Sequence, residues 1–166
     1  SLYLETIFDL VEGNLSGAAR HKALQLQFIC PKDLQVYADE NMLRSMLRNL
    51  VSNAVKFTPE GGRIQVEARA DLYGIEIWVQ DNGVGMSPEQ LDAVRLSMEI
   101  SQPNSGAAPA SSHTSTNGTR GETGTGLGLA LCQQFARRHY SLIQIESTLQ
   151  QGSRFYFKLP VMAPQS

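Results

Sequence analysis

Three polar residues, Asn49, Asn53 and Lys56, are spaced so that one face of a helix would carry all of them. Steps of three and four residues bring side chains to the same side of a helix. An amide oxygen is a hard ligand that suits Mg²⁺, and a lysine beside it can offset the charge of a phosphate. The triplet is equally compatible with solvated side chains or local hydrogen bonds. It is therefore a candidate phosphate and metal site.

A second polar stretch, Asp81 to Met86, directly follows an alternating run that ends at Val79. A carboxylate at the end of a strand can accept a hydrogen bond from an exocyclic amine, and glycines such as Gly83 and Gly85 let the backbone approach a flat ring. The same Asp-Asn-Gly order is an ordinary turn signal. The stretch is a candidate base-recognition loop, with a plain turn as the alternative.

The third candidate is the glycine-rich segment from Gly121 to Leu129, which opens a helix. Backbone donors at a helix start bind phosphate oxygens, and threonine hydroxyls can add to them. No strand precedes the segment, so it does not match the dinucleotide-binding fingerprint. No Gly-Lys-Ser/Thr occurs in the chain, which excludes a P-loop.

Hydrophobic periodicity predicts the elements that position these residues. Helices are expected at 2–20, 39–57 and 126–139, with a short helix at 88–98, and Asp39 is expected to cap the second helix. Strands are expected at 24–29, 64–70, 75–79, 142–149 and 154–159. This order favours an α/β fold of the α+β type, a two-layer sandwich in which a mixed, mostly antiparallel sheet packs on helices.

The composition indicates one domain spanning residues 1–166, with 42% apolar residues and a net charge of -2. Without a basic excess, nucleic acid is not expected as a partner. No run of about 18 apolar residues occurs, so we expect no direct membrane contact. Cys30 and Cys132 stand far apart in apolar surroundings, which favours buried thiols and a cytoplasmic location. Residues 101–122 carry few large apolar side chains and are expected to form a linker or a functional lid.

Together, the three motifs resemble the ATP-binding catalytic domain of sensor histidine kinases, in the GHKL superfamily with its Bergerat fold. Residues 49–59 resemble the N box of that family, and residues 81–85 resemble its first glycine box. Residues 124–129 resemble the second glycine box, and residues 152–155 resemble the closing strand motif. The resemblance extends from about Phe8 to Pro160.

The resemblance implies ATP and Mg²⁺ as ligands. Asn53 would hold Mg²⁺, while Asn49 and Lys56 would act near the phosphates as catalytic residues. Asp81 would bind the adenine amine, and Gly83 and Gly85 would shape its pocket. An ATP lid would span about residues 98–123. The residues that would close over the phosphates are Thr123, Gly124, Thr125, Gly126, Leu127 and Gly128.

The resemblance also implies a reaction and its partners. The γ-phosphoryl group of ATP would pass to a histidine on a separate dimerisation domain, expected outside this chain, and then to an aspartate in the receiver domain of a response regulator. The ATPase branches of the superfamily have a glutamate four residues before the metal-binding asparagine. Here that residue is Asn49, which cannot act as a general base, so ATP hydrolysis is not the expected task.

The chain departs from the family pattern in the F box, because residues 91–100 contain no phenylalanine and Leu96 or Met98 would have to replace it. None of His21, His113 and His139 precedes an acidic residue as a phosphoacceptor would, and each is expected to be structural or solvated. His139 is expected to end a helix after two arginines, where a cation suits the helix dipole. Two alternatives therefore stay open. One is a degenerate domain that regulates a partner kinase by docking, and the other is a serine kinase of the anti-sigma-factor type.

Overall fold

The computed structural model describes residues 1–100 and 127–161, without the side chains of Ile100 and Leu127. The helices in these ranges are α1 (Leu4–His21), α2 (Glu40–Phe57), α3 (Pro88–Ile100) and α4 (Leu127–Arg138). The strands are β1 (Leu2–Tyr3), β2 (Gln25–Ile29), β3 (Gln35–Val36), β4 (Arg63–Asp71), β5 (Gly74–Asp81), β6 (Gln144–Thr148) and β7 (Gly152–Leu159).

The main sheet has the strand order β2-β4-β5-β7-β6. The β2 strand runs parallel to β4, and every other neighbouring pair is antiparallel. The β1 and β3 strands form a separate antiparallel pair. The predicted mixed, mostly antiparallel sheet packed on helices is therefore confirmed.

Side chains alternate along the central strand β5, because successive residues of a strand point to opposite faces. Ile75, Ile77 and Val79 join the core shared with the helices and are at most 1% exposed. Trp78 lies on the opposite face, yet it is only 5% exposed. The guanidinium carbons of Arg69 and Arg154 lie 5.1 Å and 4.8 Å from its ring centroid, so two arginines cover this tryptophan.

The α2 helix forms where its cap and its apolar stripe were predicted. The Asp39 side chain accepts a hydrogen bond from the Met42 backbone N–H at 2.9 Å, which satisfies a donor of the first turn. Thr58 and Pro59 follow the last helical residue, and proline cannot continue a helix. The stripe predicted to face the core is buried, namely Leu43, Met46, Leu47, Leu50 and Ala54.

Two features of the fold differ from the prediction. The α3 helix continues through Ile100, two residues beyond the predicted short helix, and Met98 within it is 3% exposed. The β1 and β3 strands were not predicted. Each has two residues and forms only because Leu2 pairs with Val36 and Tyr3 with Gln35, a tertiary contact that leaves no periodic pattern. Across the described ranges, no helix is long and apolar enough to cross a membrane.

Candidate active site

The predicted polar face of α2 lies at the edge of its buried stripe. Asn49, Asn53 and Lys56 are each half-buried, while Leu50 and Ala54 between them are in the core. The Lys56 ammonium lies 4.8 Å from the centroid of the Phe57 ring. The helix therefore places two amides and one ammonium along one partly shielded surface.

Asp81 ends β5 and is a buried acid, with 7% of its surface exposed. Its Oδ1 atom accepts hydrogen bonds from the backbone N–H groups of Gly83 at 2.9 Å and Ser153 at 3.3 Å. Burial raises the pKa of the Asp81 carboxyl, and these two donors only partly oppose the rise. Two donors occupy one oxygen, so the carboxylate keeps acceptor capacity for a further donor.

The loop after Asp81 contacts the end of α2 directly. The Val84 backbone N–H donates to the Phe57 carbonyl oxygen at 3.1 Å. A Cβ atom on Gly83 would overlap that same carbonyl oxygen and would lie 2.9 Å from Asp81 Oδ1. Because Gly83 has no side chain, the Asp81 carboxylate and the end of α2 can both lie against it.

The second glycine of the loop, Gly85, packs against the turn between β6 and β7. Its φ of +65° lies in the left-handed region, and a Cβ there would overlap the Thr148 carbonyl oxygen. The Gln150 backbone N–H donates to the Val84 carbonyl oxygen at 2.6 Å, which holds the loop from this side. The loop is thus held between α2 and the last hairpin.

The start of α4 lies beside the middle of α2. A Cβ on Gly128 would lie 3.5 Å from Asn49 Oδ1, an ordinary contact distance, so the first turn of α4 lies against Asn49. Leu127 begins the helix, whereas the predicted site residues Thr123, Gly124, Thr125 and Gly126 lie outside the described residues. Most of the expected lid lies outside them as well.

The family model that matches residues 38–163 is described as histidine kinase-, DNA gyrase B- and HSP90-like ATPase. The match covers most of the chain and includes every element of the site. The chain belongs to this family. The predicted family, the fold and the nucleotide-binding character are confirmed.

Named relatives point to the histidine kinase branch of this ATPase family. The chain is 33% identical over 162 residues to the adaptive-response sensory kinase SasA of Gloeothece citriformis, covering 96% of this chain and 37% of SasA. It is 39% identical over 132 residues to the histidine protein kinase DivJ of Caulobacter vibrioides, covering 80% of this chain and 20% of DivJ. The chain thus spans well under half of either relative.

The fold agrees with a solved histidine kinase domain. The catalytic domain of histidine kinase ThkA, in a nucleotide-free form, superposes with a TM-score of 0.74 at 23% identity, covering 96% of this chain and 93% of that one. The ATPase family fold therefore accounts for nearly the whole chain.

Sequence reasoning missed two serines beside Asp81. Ser153 pairs with Asp81 across β5 and β7 and donates its backbone N–H to the carboxylate. Its hydroxyl lies 2.8 Å from the Ser147 hydroxyl, which in turn accepts from the Met86 backbone N–H at 2.8 Å. The closing motif at residues 152–155 was the available signal, but only the strand register shows which residue meets Asp81.

Phe57 was given no role of its own in the sequence analysis. It is half-buried, its ring faces the Lys56 ammonium and its carbonyl oxygen accepts from Val84. In the segment expected to hold the F box, Met98 is buried at 3% exposure, whereas Leu96 is 56% exposed. Of the two predicted replacements for the F-box phenylalanine, only Met98 joins the core.

His139 directly follows the end of α4 and contacts the start of α2. His139 is 9% exposed, its Nε2 atom accepts from the Asp39 backbone N–H at 2.9 Å, and its Nδ1 atom lies 2.7 Å from the Phe135 carbonyl oxygen. Both ring nitrogens therefore have hydrogen-bond partners, so His139 links the end of α4 to the start of α2. His21 is exposed, and His113 lies outside the described residues.

Both cysteine thiols are shielded, though to different degrees. Cys132 is fully buried, and burial raises the pKa of its thiol to about 12, although a hydrogen bond with the Asn49 side chain acts to lower it. Cys30 is half-buried with a pKa raised to about 11 by burial and by the nearby acids Glu5 and Asp9. The prediction of a buried thiol is confirmed fully for Cys132 and partly for Cys30.

Proposed function

We propose that this domain binds Mg-ATP and transfers its γ-phosphoryl group to a histidine on a separate dimerisation domain. A response-regulator receiver domain would then accept the phosphoryl group on an aspartate. The single observation that carries this proposal is the buried Asp81 carboxylate, held by two backbone donors beside the N-box helix. A cytoplasmic location and the absence of nucleic-acid partners belong to the same proposal.

Asp81 supports recognition of the adenine amine. An exocyclic amine is a donor, and an ionised carboxylate is purely an acceptor, so the two match. Two backbone donors on Oδ1 fix the orientation of the carboxylate before any ligand arrives. Gly83 and Gly85 leave room for a flat ring to approach the backbone. Recognition would thus come from a preorganised acceptor rather than from a flexible side chain.

The N-box face fits a metal-bound triphosphate. Asn53 supplies a hard amide oxygen, and Mg²⁺ usually takes most of its remaining ligands from substrate phosphates and water. No cluster of three or more His, Cys, Asp or Glu side chains occurs in the parts of the chain that the structure describes, consistent with a metal held mainly by the nucleotide. When bound, Mg²⁺ would neutralise phosphate charge, and Lys56 would add to that effect.

The phosphates would also meet the first turn of α4. Helix N-termini present unpaired backbone N–H groups and a partial positive charge to anions. Gly128 places this turn next to Asn49. Thr123, Gly124, Thr125, Gly126 and the Leu127 backbone extend the same surface in the proposal, as the resemblance to the second glycine box implies.

The chemistry proposed for the domain is positioning and charge stabilisation, because phosphoryl transfer requires little covalent chemistry from the protein. Asn49 stands where hydrolytic relatives place a general base, and an amide cannot take a proton from water. His139 is buried and hydrogen-bonded at both ring nitrogens, so it does not fit the role of acceptor. A histidine on another domain fits the relatives, which are named as histidine kinases.

Calorimetric titration of Mg-ATP into the domain tests the nucleotide site. The variant Asp81→Asn retains an oxygen for the Gly83 and Ser153 donors, so we expect it to fold and to lose measurable binding. The variant Asn53→Ala should lose the Mg²⁺ dependence of binding. Asp33→Asn, at an exposed position, is the matched control and should bind like the unmodified chain. Unchanged affinity in Asp81→Asn would refute the adenine assignment.

Incubation with radiolabelled ATP and the dimerisation domain of a SasA-type relative tests the transfer step. We expect an acid-labile phosphoryl group on that domain, as a phosphohistidine gives, and none with Asp81→Asn. Tight ATP binding without any label on several such domains would contradict the kinase proposal. Acid-stable label on a serine would assign the domain to the serine kinase branch instead.

A further inference from the structure

Lys22 is a buried lysine whose ammonium group contacts the end of the N-box helix. The residue follows α1 directly and is 3% exposed. Its Nζ atom donates to the carbonyl oxygens of Val55 at 2.9 Å and Lys56 at 3.0 Å. Burying an ammonium group is costly unless its donors find acceptors. The last carbonyls of a helix lack intrahelical partners and carry partial negative charge, so they are suitable acceptors.

The same helical turn carries the proposed phosphate-binding residues. The carbonyls of residues 55 and 56 accept from Lys22. The carbonyl of the next residue, Phe57, accepts from Val84 in the loop at residues 82–86, the proposed adenine loop. Three consecutive carbonyls are therefore held, two from the α1 side and one from the loop. Lys56 lies in this turn, and Asn53 lies one turn earlier on the same face.

We propose that Lys22 is a positioning residue that holds the last turn of α2, so that Asn53 and Lys56 keep a fixed relation to Asp81. The inference rests on the proposed function, which assigns Asn53 and Lys56 to Mg²⁺ and phosphate binding. Lys22 acts through the backbone of α2, because its Nζ atom donates to two main-chain oxygens at the end of that helix. Without the ammonium, two carbonyls at the helix end would lose their donors and the turn would fray.

Two substitutions separate charge and donors from bulk. Lys22→Met keeps the length of the side chain and removes the donors, whereas Lys22→Arg keeps the charge and the donors. Lys32→Met is the matched control, because Lys32 is an exposed lysine in the loop after β2. Urea denaturation of each variant first establishes that the chain folds, and the binding experiments use temperatures at which every variant is fully folded.

Competition against a fluorescent ATP analogue then measures the affinities for Mg-ATP and for AMP. We expect Lys22→Met to weaken Mg-ATP binding at least about tenfold and AMP binding less than about threefold, because AMP lacks the β- and γ-phosphates. Lys22→Arg should recover most of the Mg-ATP affinity, and Lys32→Met should leave both affinities unchanged. Equal losses for the two nucleotides, or none for Mg-ATP, would overturn the positioning role and leave Lys22 with a structural role only.

Amide hydrogen exchange without nucleotide gives a readout that does not depend on ATP binding. The amides of residues 55–58 should exchange at least tenfold faster in Lys22→Met than in the unmodified chain or in Lys22→Arg. Unchanged exchange would refute the proposed hold on the helix end. If the unmodified chain bound no Mg-ATP, the proposed function would fail, while faster exchange in Lys22→Met would still support the mechanical part of the inference.

Discussion

Replacing Gly83 by alanine tests whether the adenine loop must touch the end of α2. The added Cβ would overlap the Phe57 carbonyl oxygen, lie 3.0 Å from the Phe57 carbonyl carbon and lie 2.9 Å from Asp81 Oδ1. Two of these three atoms are backbone atoms of a helix end, which cannot rotate away as a flexible side chain can. The loop itself must therefore move until the Cβ atom and the Phe57 carbonyl oxygen reach an ordinary contact distance of about 3.5–4 Å.

Such a movement would break or stretch two hydrogen bonds, from Gly83 to Asp81 Oδ1 at 2.9 Å and from Val84 to the Phe57 carbonyl oxygen at 3.1 Å. A typical net contribution of about 1 kcal/mol for each predicts a loss of about 1–3 kcal/mol in the free energy of unfolding. The Asp81 carboxylate would also lose a donor that orients it. We expect the affinity for Mg-ATP to fall at least about tenfold, since about 1.4 kcal/mol corresponds to a factor of ten.

The assay is urea denaturation followed by circular dichroism, together with calorimetric titration of Mg-ATP. Gly17→Ala provides the matched control, because a Cβ on this α1 residue would have no neighbour within 4 Å. Alanine in the middle of a helix is preferred over glycine, so the control should gain about 0.5–1 kcal/mol. If Gly83→Ala matched the unmodified chain in both stability and affinity, the contact between loop and helix would have no energetic role.

Three further predictions concern stability. Met98→Ala should cost about 2–5 kcal/mol in urea denaturation by leaving a core cavity, whereas a Leu96→Ala change of more than about 1 kcal/mol would contradict its exposure. Asp39→Ala should cost about 1 kcal/mol through the lost helix cap, and Asp39→Asn, which can also cap, should cost much less. The raised pKa of Asp81 means that the native state binds more protons than the unfolded state between the ordinary and the raised pKa. The free energy of unfolding of the nucleotide-free domain should therefore fall as pH rises through that window. Urea denaturation at a series of pH values measures this dependence, and the same pH dependence in Asp81→Asn would refute the assignment to Asp81.

The parts of the site that follow from local chemistry could be predicted from sequence. Asp39 caps α2 because a short acidic side chain reaches the first-turn donors, and the apolar stripe of α2 determines which face meets the sheet. The helical period then places Asn49 and Asn53 at the edge of that stripe. The Asp81 loop was predictable for the same reason, because an alternating strand ends immediately before a glycine-containing turn.

Contacts that depend on strand register or on helix packing could not be predicted. Ser153 meets Asp81 only because β7 pairs with β5 in one register. His139 meets the start of α2 because the backbone N–H of Asp39, 100 residues away in the chain, donates to its ring. The burial of Lys22 against α2 has no sequence signal, because it depends on how α1 and α2 pack. Each case involves a polar group whose partner is fixed by tertiary structure.

The α2 helix links both sides of the proposed nucleotide site because each neighbouring element contacts a different part of it. Its cap residue donates to His139 at the end of α4, its middle meets Gly128 at the start of α4, and its last carbonyls accept from Lys22 and Val84. The proposed adenine loop and the proposed phosphate-binding turn are thus positioned relative to one helix rather than relative to each other. A site built in this way keeps its geometry as long as both ends of α2 are held, which is why a buried lysine far from the chemistry bears on phosphate binding.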